Sequence, residues 1–367
     1  MVGSRVDLGG TVLHRLGIGL TKIPQNEYSE QYRSRIQIVE SLLSDGCKLF
    51  VDTSPIYSGG RSEVVAGRIK RDFRDNIFLA TKYYPREGVE PDISVKEVRS
   101  SLKRMGIDSL DLLQIHWPNS LCHDEDVIAT LTALKESGDV KEFGLSNFCA
   151  REVKEVLRQK SIDFKSCQIE ANFGSLVPDF IQFDPLTKIL YGLLLQGRLG
   201  PKGEAITTIE RLSMNLGVDP SALVVSFFLQ KARSSLAVLK ISNPAHLKSV
   251  KKAIDLEISP QVFDCLDRLL VSTPKFIPPE SVVLRGDQLR APYLTVDEAI
   301  SNKLDLIPSP LSLACRILKY QLIFPIKVNV MGDRYLVDDA DPFDQIKKFW
   351  AWRLAYPLRR IPVIVLN

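Results

Sequence analysis

The stretch IFLATKYYPREGVEPDISVKEVRSSLKRMGIDSLDLLQIH, Ile77 to His116, holds one complete unit of the fold. It opens on a short apolar run, IFLATK. A helix-start signal follows, Ser94 with Glu97 as a capping box, then a glycine stop at Gly106 and a second apolar run, LDLLQIH. Short buried strands separated by a helix are the pattern of a βαβ crossover in a parallel sheet.

The same alternation extends both ways, from Leu16 to about Ile254. Eight strand-like runs are legible: LGIGL from Leu16, KLFVD from Lys48, IFLATK, LDLLQIH, KEFGLS from Lys141, CQIEAN from Cys167, KILYGLL from Lys188 and LAVLK from Leu236. Between the first two, Tyr32, Ile36, Val39 and Leu43 share one helical face and Gly46 follows as a stop. Asp219-Pro220 and Asn243-Pro244 each place a cap residue before a proline, and Gly138 and Gly217 stand at helix ends. Eight alternations over about 250 residues predict an α/β fold, a (β/α)8 TIM barrel, rather than a doubly wound sheet. No GxGxxG is present. Only a short or distorted helix fits between the sixth and seventh strands, and RVDLGGTVLHR reads as a hairpin turning at Gly9-Gly10 that could close the barrel bottom.

The barrel is expected over residues 1–272. TPKFIPPE has a linker composition, which predicts a Pro-rich linker at 273–279, and 280–367 reads as a small α+β domain. That segment has two helical stretches, LTVDEAISNK and SPLSLACRILKY, a hairpin FPIKVNVMGDRYLVDD turning at Gly332-Asp333, a third helix and a final strand, IPVIVL.

Composition excludes several classes. Of 367 residues 45% are hydrophobic and 25% charged, as in ordinary globular proteins, so wholesale disorder and coiled coil are ruled out. The longest apolar runs fall far short of the roughly 20 residues that span a bilayer, and MVGSRVDLGG has no signal-peptide core, so the cytoplasm is the expected compartment. A net charge of +4 is too balanced for a protein that neutralises phosphate backbones, so nucleic acid is not the expected partner. The six cysteines show neither a CxxC pair nor metal-ligand spacing with histidine; no metal site is expected, and the thiols read as buried core.

In such barrels the reactive groups stand at the C-terminal ends of the strands. Asp52 ends the second strand, Tyr57 follows in the loop, Lys82 ends the third and His116 the fourth. Each alone has a bland explanation: a strand-end Asp usually caps a helix, and a lone His is usually structural. Together at successive strand ends they read as a phenol acidified by an ammonium, a carboxylate that holds the ammonium, and an imidazole that orients a carbonyl. That machinery suits carbonyl reduction with a hydride-carrying cofactor. His14 and His123 lie at no predicted strand end and read as structural, while Tyr83 and Tyr84 read equally well as pocket lining and as rim cover.

FVDTSPIYSGGRSE, FLATKYYP, LDLLQIHWP and FGLSNF, in this order, resemble the aldo-keto reductase superfamily over residues 5–272. The resemblance implies catalytic roles for Asp52, Tyr57, Lys82 and His116. It implies that Ser146, Asn147 and Gln168 hold a nicotinamide carboxamide, that Tyr191 stacks on the nicotinamide ring, and that Trp117 lines the substrate pocket. In LKISNPAHLKSVKKAI, Lys240 takes the place of a phosphate-binding lysine, and the helix opening at Asn243-Pro244 would offer backbone N–H groups to an anion. His246 stands in place of an arginine, and Ser249 and Val250 in place of the residues that grip adenine. NADPH is the expected cofactor, with NADH as the alternative, and a small-molecule carbonyl the expected substrate.

The closing hairpin, helix and strand weakly resemble the ParB-like (sulfiredoxin-like) fold, but DDADPFDQ replaces the phosphate-binding glycine and basic residues. From residue 278 on, 12 basic and 10 acidic residues leave a net of +2, which argues against DNA. Gln345 to Asn367 carries five basic residues and no acidic ones among Phe349, Trp350, Trp352 and Tyr356. This reads as an amphipathic helix packed on its own sheet, or as a docking face or lid over the active site. The leading reading is therefore an NADPH-dependent reductase of an aldehyde or ketone with Tyr57 as general acid. The rivals are an NADP(H)-binding redox sensor or scaffold acting through a protein partner and, more remotely, a nucleotide binder led by the C-terminal segment.

Overall fold

The computed structural model describes residues 4–21, 23, 30–43, 46–119, 124–176, 179–201, 203–241, 243–271, 274–283, 310–320, 325–332, 334–337, 342–356 and 360–366. Eight parallel strands close a barrel: β3 (Leu16–Gly19), β4 (Leu49–Asp52), β5 (Ile77–Tyr83), β6 (Leu110–Ile115), β7 (Val140–Ser146), β8 (Phe164–Glu170), β9 (Thr187–Tyr191) and β10 (Ser235–Leu239). β10 pairs with both β3 and β9, which seals the ring. These are the eight runs read from the sequence, displaced at most a few residues, because strands buried on both faces must be continuously apolar.

The outer layer is α1 (Glu30–Leu42), α2 (Arg61–Phe73), α3 (Pro91–Met105), α4 (Asp124–Glu136), α5 (Ala150–Gln159), α6 (Glu204–Leu216), α7 (Pro220–Lys231), α8 (Pro244–Lys251) and α9 (Pro260–Asp267). Asp219 caps α7 by accepting from Ser221 N at 2.8 Å. Gly106 and Gly217 end α3 and α6 in the left-handed region, at φ 66° and 64°, where a Cβ would be strained. The β8–β9 connection has room only for a 3-10 turn, Phe180–Phe183, as its length requires. β1 (Arg5–Leu8) and β2 (Thr11–His14) form the expected hairpin; Val6, Leu8 and Leu13 plug the barrel interior beside Phe50, Phe78 and Leu236. His14 lies there, its Nδ1 against the Leu16 backbone, in a structural position. His123 and the stretch LTVDEAISNK lie outside the described residues.

A second, five-stranded sheet has the order β11 (Lys275–Ile277), β15 (Ile361–Val365), β13 (Ile326–Met331), β14 (Arg334–Val337), β12 (Val282–Val283). α10 (Pro310–Tyr320) and α11 (Pro342–Ala355) complete this C-terminal unit. Ile277, Leu313, Ile317, Ile326, Val328, Ala351, Trp352, Ile361 and Val363 form its core.

Three expectations change. The stretch read as a linker at 273–279 contributes strand β11, antiparallel to β15, because its prolines flank Lys275–Ile277 rather than interrupt it. Ser94 and Glu97 do not cap α3, which starts earlier on Pro91. Ser94 is buried and meets the Tyr83 hydroxyl at 3.1 Å, which packs Tyr83 into the core against α3, and Glu97 pairs with Arg86. Of the cysteines described, all are free thiols, but only Cys167 is buried; Cys47, Cys149, Cys265 and Cys315 are half-buried. Among the described residues no single helix is long and apolar enough to cross a membrane.

Candidate active site at the barrel mouth

Parallel strands deliver their C-terminal residues to one rim, so Asp52, Lys82 and His116 converge although 64 residues separate the first from the last. Lys82 Nζ donates to Asp52 Oδ1 at 2.6 Å and to the Thr53 carbonyl at 2.9 Å, with both side chains 2% exposed or less. The ammonium also lies 4.9 Å from the centroid of the Tyr57 ring. The Tyr57 ring meets His116 edge-on, with centroids 5.8 Å apart. Burial works against the Lys82 charge, but Asp52 and Tyr57 outweigh it and hold the ammonium above its usual pKa. His116 is the opposite case. Burial first, then the charges of Lys82 and Lys347, hold its imidazole well below the usual histidine range, so it is neutral at pH 7. Its Nδ1 stands 3.4 Å from Ser54 Oγ.

The adjoining strand ends carry the second cluster. Asn147 Nδ2 donates to Ser146 Oγ at 3.0 Å and to the His116 carbonyl at 2.9 Å, and the Tyr191 hydroxyl donates to Asn147 Oδ1 at 2.6 Å. Asn147 holds φ 63°, a left-handed turn that asparagine tolerates better than most residues. Gln114 joins the clusters from inside the barrel: its Nε2 donates to Gln168 Oε1 at 2.9 Å and approaches Asp52 Oδ1 at 3.4 Å. Sequence reading missed Gln114, though a polar residue inside the apolar run LDLLQI marks it.

Lys240, the residue after β10, and His246 in the first turn of α8 are exposed. The expected free N–H groups at the start of α8 are already used. Pro244 has none, Ala245 N donates to Asn243 Oδ1 at 2.9 Å, and His246 N to the Asn243 carbonyl at 3.1 Å. A strong cap residue satisfies the very donors an anion would need. Ser249 is half-buried and Val250 is turned into the core.

Sequence reading also missed what the C-terminal unit does here. Arg316 of α10 is 1% exposed, donates to Glu152 Oε1 and Oε2 at 2.6 and 2.7 Å, and reaches the Asn147 carbonyl at 2.9 Å. Lys327 of β13 pairs with Glu170 at the end of β8 at 2.7 Å. Trp117, next to His116, packs against the C-terminal core, with Lys347 of α11 5.6 Å from its ring centroid. Leu195, after β9, is buried with Ile364 and Leu366. Loops after β6, β7, β8 and β9 thus all meet the C-terminal unit, on the face that carries the polar clusters.

The family model described as "Aldo/keto reductase family" matches residues 15–271. The chain belongs to this family. Aldo-keto reductase YhdN of Bacillus subtilis is 28% identical over 207 residues, 53% of this chain and 62% of that protein, so the match spans about three fifths of that relative's length. A crystallised thermostable aldo-keto reductase in complex with the inhibitor epalrestat superposes with a TM-score of 0.64 at 24% identity, covering 72% of this chain and 99% of that one. An aldo-keto reductase from Klebsiella pneumoniae in complex with NADPH gives 0.60 at 23% identity, covering 73% and 95%. The C-terminal unit follows the end of the matched family segment.

Proposed function

We propose that the protein is an NADPH-dependent reductase of a small-molecule aldehyde or ketone, with NADH as the alternative cofactor. The observation that carries this reading is the contact of Tyr57 with both the Asp52-held ammonium of Lys82 and the neutral imidazole of His116. Tyr57 donates its proton to the carbonyl oxygen, and the adjacent ammonium stabilises the phenolate left behind. Asp52 keeps Lys82 charged and aimed. With the Ser54 hydroxyl donating to Nδ1, the His116 proton resides on Nε2, from which it donates a hydrogen bond to the carbonyl oxygen. A bound dihydronicotinamide supplies the hydride.

The residues at the second cluster fit that group. Asn147 spends both Nδ2 hydrogens on Ser146 Oγ and the His116 carbonyl, so for a primary carboxamide the Ser146 hydroxyl and the Gln168 amide would donate and Asn147 Oδ1 would accept, with the flat ring of Tyr191 beside them. Lys240, just past β10, would hold the cofactor's phosphate, and His246 on α8 is exposed. Tyr57→Phe should lower kcat by about 10²- to 10⁴-fold while NADPH affinity, read by fluorescence titration, stays within about threefold. Equal loss of both would refute the assignment.

The second reading, an NADP(H)-binding sensor or scaffold working through a protein partner, draws support from α8, whose first-turn amides are occupied and whose Val250 faces inward. A folded protein that binds NADPH but turns over no carbonyl would favour it. The DDADPFDQ stretch, where a ParB-like cradle would sit, offers no support for nucleotide binding: Asp338 to Asp341 lie outside the described residues, and Gln345 is buried, its Oε1 accepting from Lys327 N at 2.7 Å.

A further inference from the structure

Asn147 is bonded at every polar position, and its partners come from two parts of the molecule. The barrel holds its N–H and its side chain. Asn147 N donates to the Gln168 carbonyl at 2.9 Å, Nδ2 donates to Ser146 Oγ and the His116 carbonyl, and Oδ1 accepts from the Tyr191 hydroxyl at 2.6 Å. The carbonyl is held by the C-terminal unit, where Arg316 Nη2 donates to it at 2.9 Å. A non-glycine residue at φ 63° keeps that conformation only when its surroundings impose it. A donor on the carbonyl pins the peptide plane that follows Asn147, and with it the turn that directs this side chain toward Ser146 and Tyr191.

Arg316 is well placed to impose the turn. At 1% exposure water does not compete for its bonds, and Nε and Nη2 are fixed on Glu152 at 2.6 and 2.7 Å. Glu152 Oε2 also accepts from Cys149 N at 2.7 Å, so one guanidinium ties both ends of the connection between β7 and α5. The planar fork of arginine can serve a carboxylate and a carbonyl at once. The end of α10 is docked on the same helix: Arg151 Nη1 donates to the Tyr320 carbonyl at 2.7 Å, and Lys319 and the Tyr320 hydroxyl both meet Glu155. α10 lies beyond the family segment, so this bond is an addition to the common barrel.

Building on the reading that Asn147 accepts the nicotinamide carboxamide, we propose that Arg316 is a positioning residue for the cofactor: acting from the C-terminal unit, it holds the Asn147 turn and thereby the acceptor that the carboxamide needs. The C-terminal unit then completes the nicotinamide half of the site and leaves the rest of the cofactor to the barrel.

The test titrates the full-length protein by isothermal calorimetry with NADPH and with 2′-phospho-ADP-ribose, which lacks the nicotinamide; NADH and ADP-ribose take their place if the wild type prefers NADH. Arg316→Met alone strands the Glu152 charge, so the deciding variant combines it with Glu152→Gln, which keeps the seam filled without a buried unpaired charge. In the double variant NADPH should bind about tenfold more weakly, as for one lost hydrogen bond, while 2′-phospho-ADP-ribose stays within about twofold. A merely structural seam would weaken both ligands together or neither, and either result overturns the proposal. So does a wild type that binds NADPH no better than the fragment, because its nicotinamide is then not held. A wild type that binds neither cofactor overturns the proposal and the reductase reading together. If the titrations come out as expected while a panel of aldehydes and ketones is not reduced, the reductase reading fails and the role of Arg316 stands.

Discussion

Arg316→Met should loosen the C-terminal unit from the barrel. Arg316 and Glu152 are 1% and 4% exposed and joined by two hydrogen bonds of 2.6 and 2.7 Å, so neither charge can be rehydrated without moving the seam. Removing one partner of such a pair costs about 3–5 kcal/mol, because the other charge stays buried. Glu152 keeps one donor, Cys149 N at 2.7 Å, at the start of α5, where the helix dipole favours a carboxylate, which argues for the lower end. Losing the bond to the Asn147 carbonyl adds about 1 kcal/mol, giving about 4 kcal/mol in all. Urea unfolding can be followed by two probes. Trp352 belongs to the C-terminal core, Trp117 packs on it, and Trp350 is buried beside it, so tryptophan fluorescence reports on the C-terminal unit and its seam. Circular dichroism is dominated by the barrel helices. In R316M the fluorescence transition should move to lower urea, ahead of the dichroism transition. Adding E152Q should recover about 2 kcal/mol or more, since it removes the stranded charge. A loss below about 1 kcal/mol in R316M, or a double variant as unstable as the sum of the singles, would refute the reasoning.

Stability should also fall with acid through His116. Its folded-state pKa is depressed, so between that value and 6.5 the unfolded chain binds the proton first, and stability is present above pH 6.5 and lost as pH falls. Urea midpoints at pH 7.5, 6.5 and 5.5 should show His116→Gln losing up to about 1.4 kcal/mol per pH unit less than the wild type, and parallel slopes would contradict the argument. His14 is depressed in the same direction, by burial first, and its share should persist in that variant. Gly67→Ala should destabilise by about 3 kcal/mol or prevent folding, because a Cβ there would lie 1.8 Å from the Met105 carbonyl where α2 crosses the end of α3. A thermal midpoint within about 2 °C of wild type would mean the two helices separate freely.

The barrel was legible because each strand declares itself locally. Runs such as IFLATK and LDLLQIH must be apolar on both faces, and glycines at the helix ends mark where each unit stops. Once eight such units are counted, the closed parallel topology puts Asp52, Lys82 and His116 on one rim, and Tyr57 follows in the loop after Asp52. The same local logic misjudged Ser94, because Pro91 is a better helix start, and misjudged TPKFIPPE, because three residues between prolines become a strand only when β15 is there to pair with them.

Chain order and residue type therefore determined the barrel, its polar mouth and the family. What the C-terminal unit rests on was decided only by tertiary structure. Arg316 meets Glu152 across 164 residues, and Lys347 meets Trp117 across 230. No periodicity or motif encodes such a meeting, since a buried ion pair or an inward lysine looks in sequence like any charged residue on a helix. Each becomes distinct only when a second packed surface excludes water from it, and that surface is made by folding the whole chain.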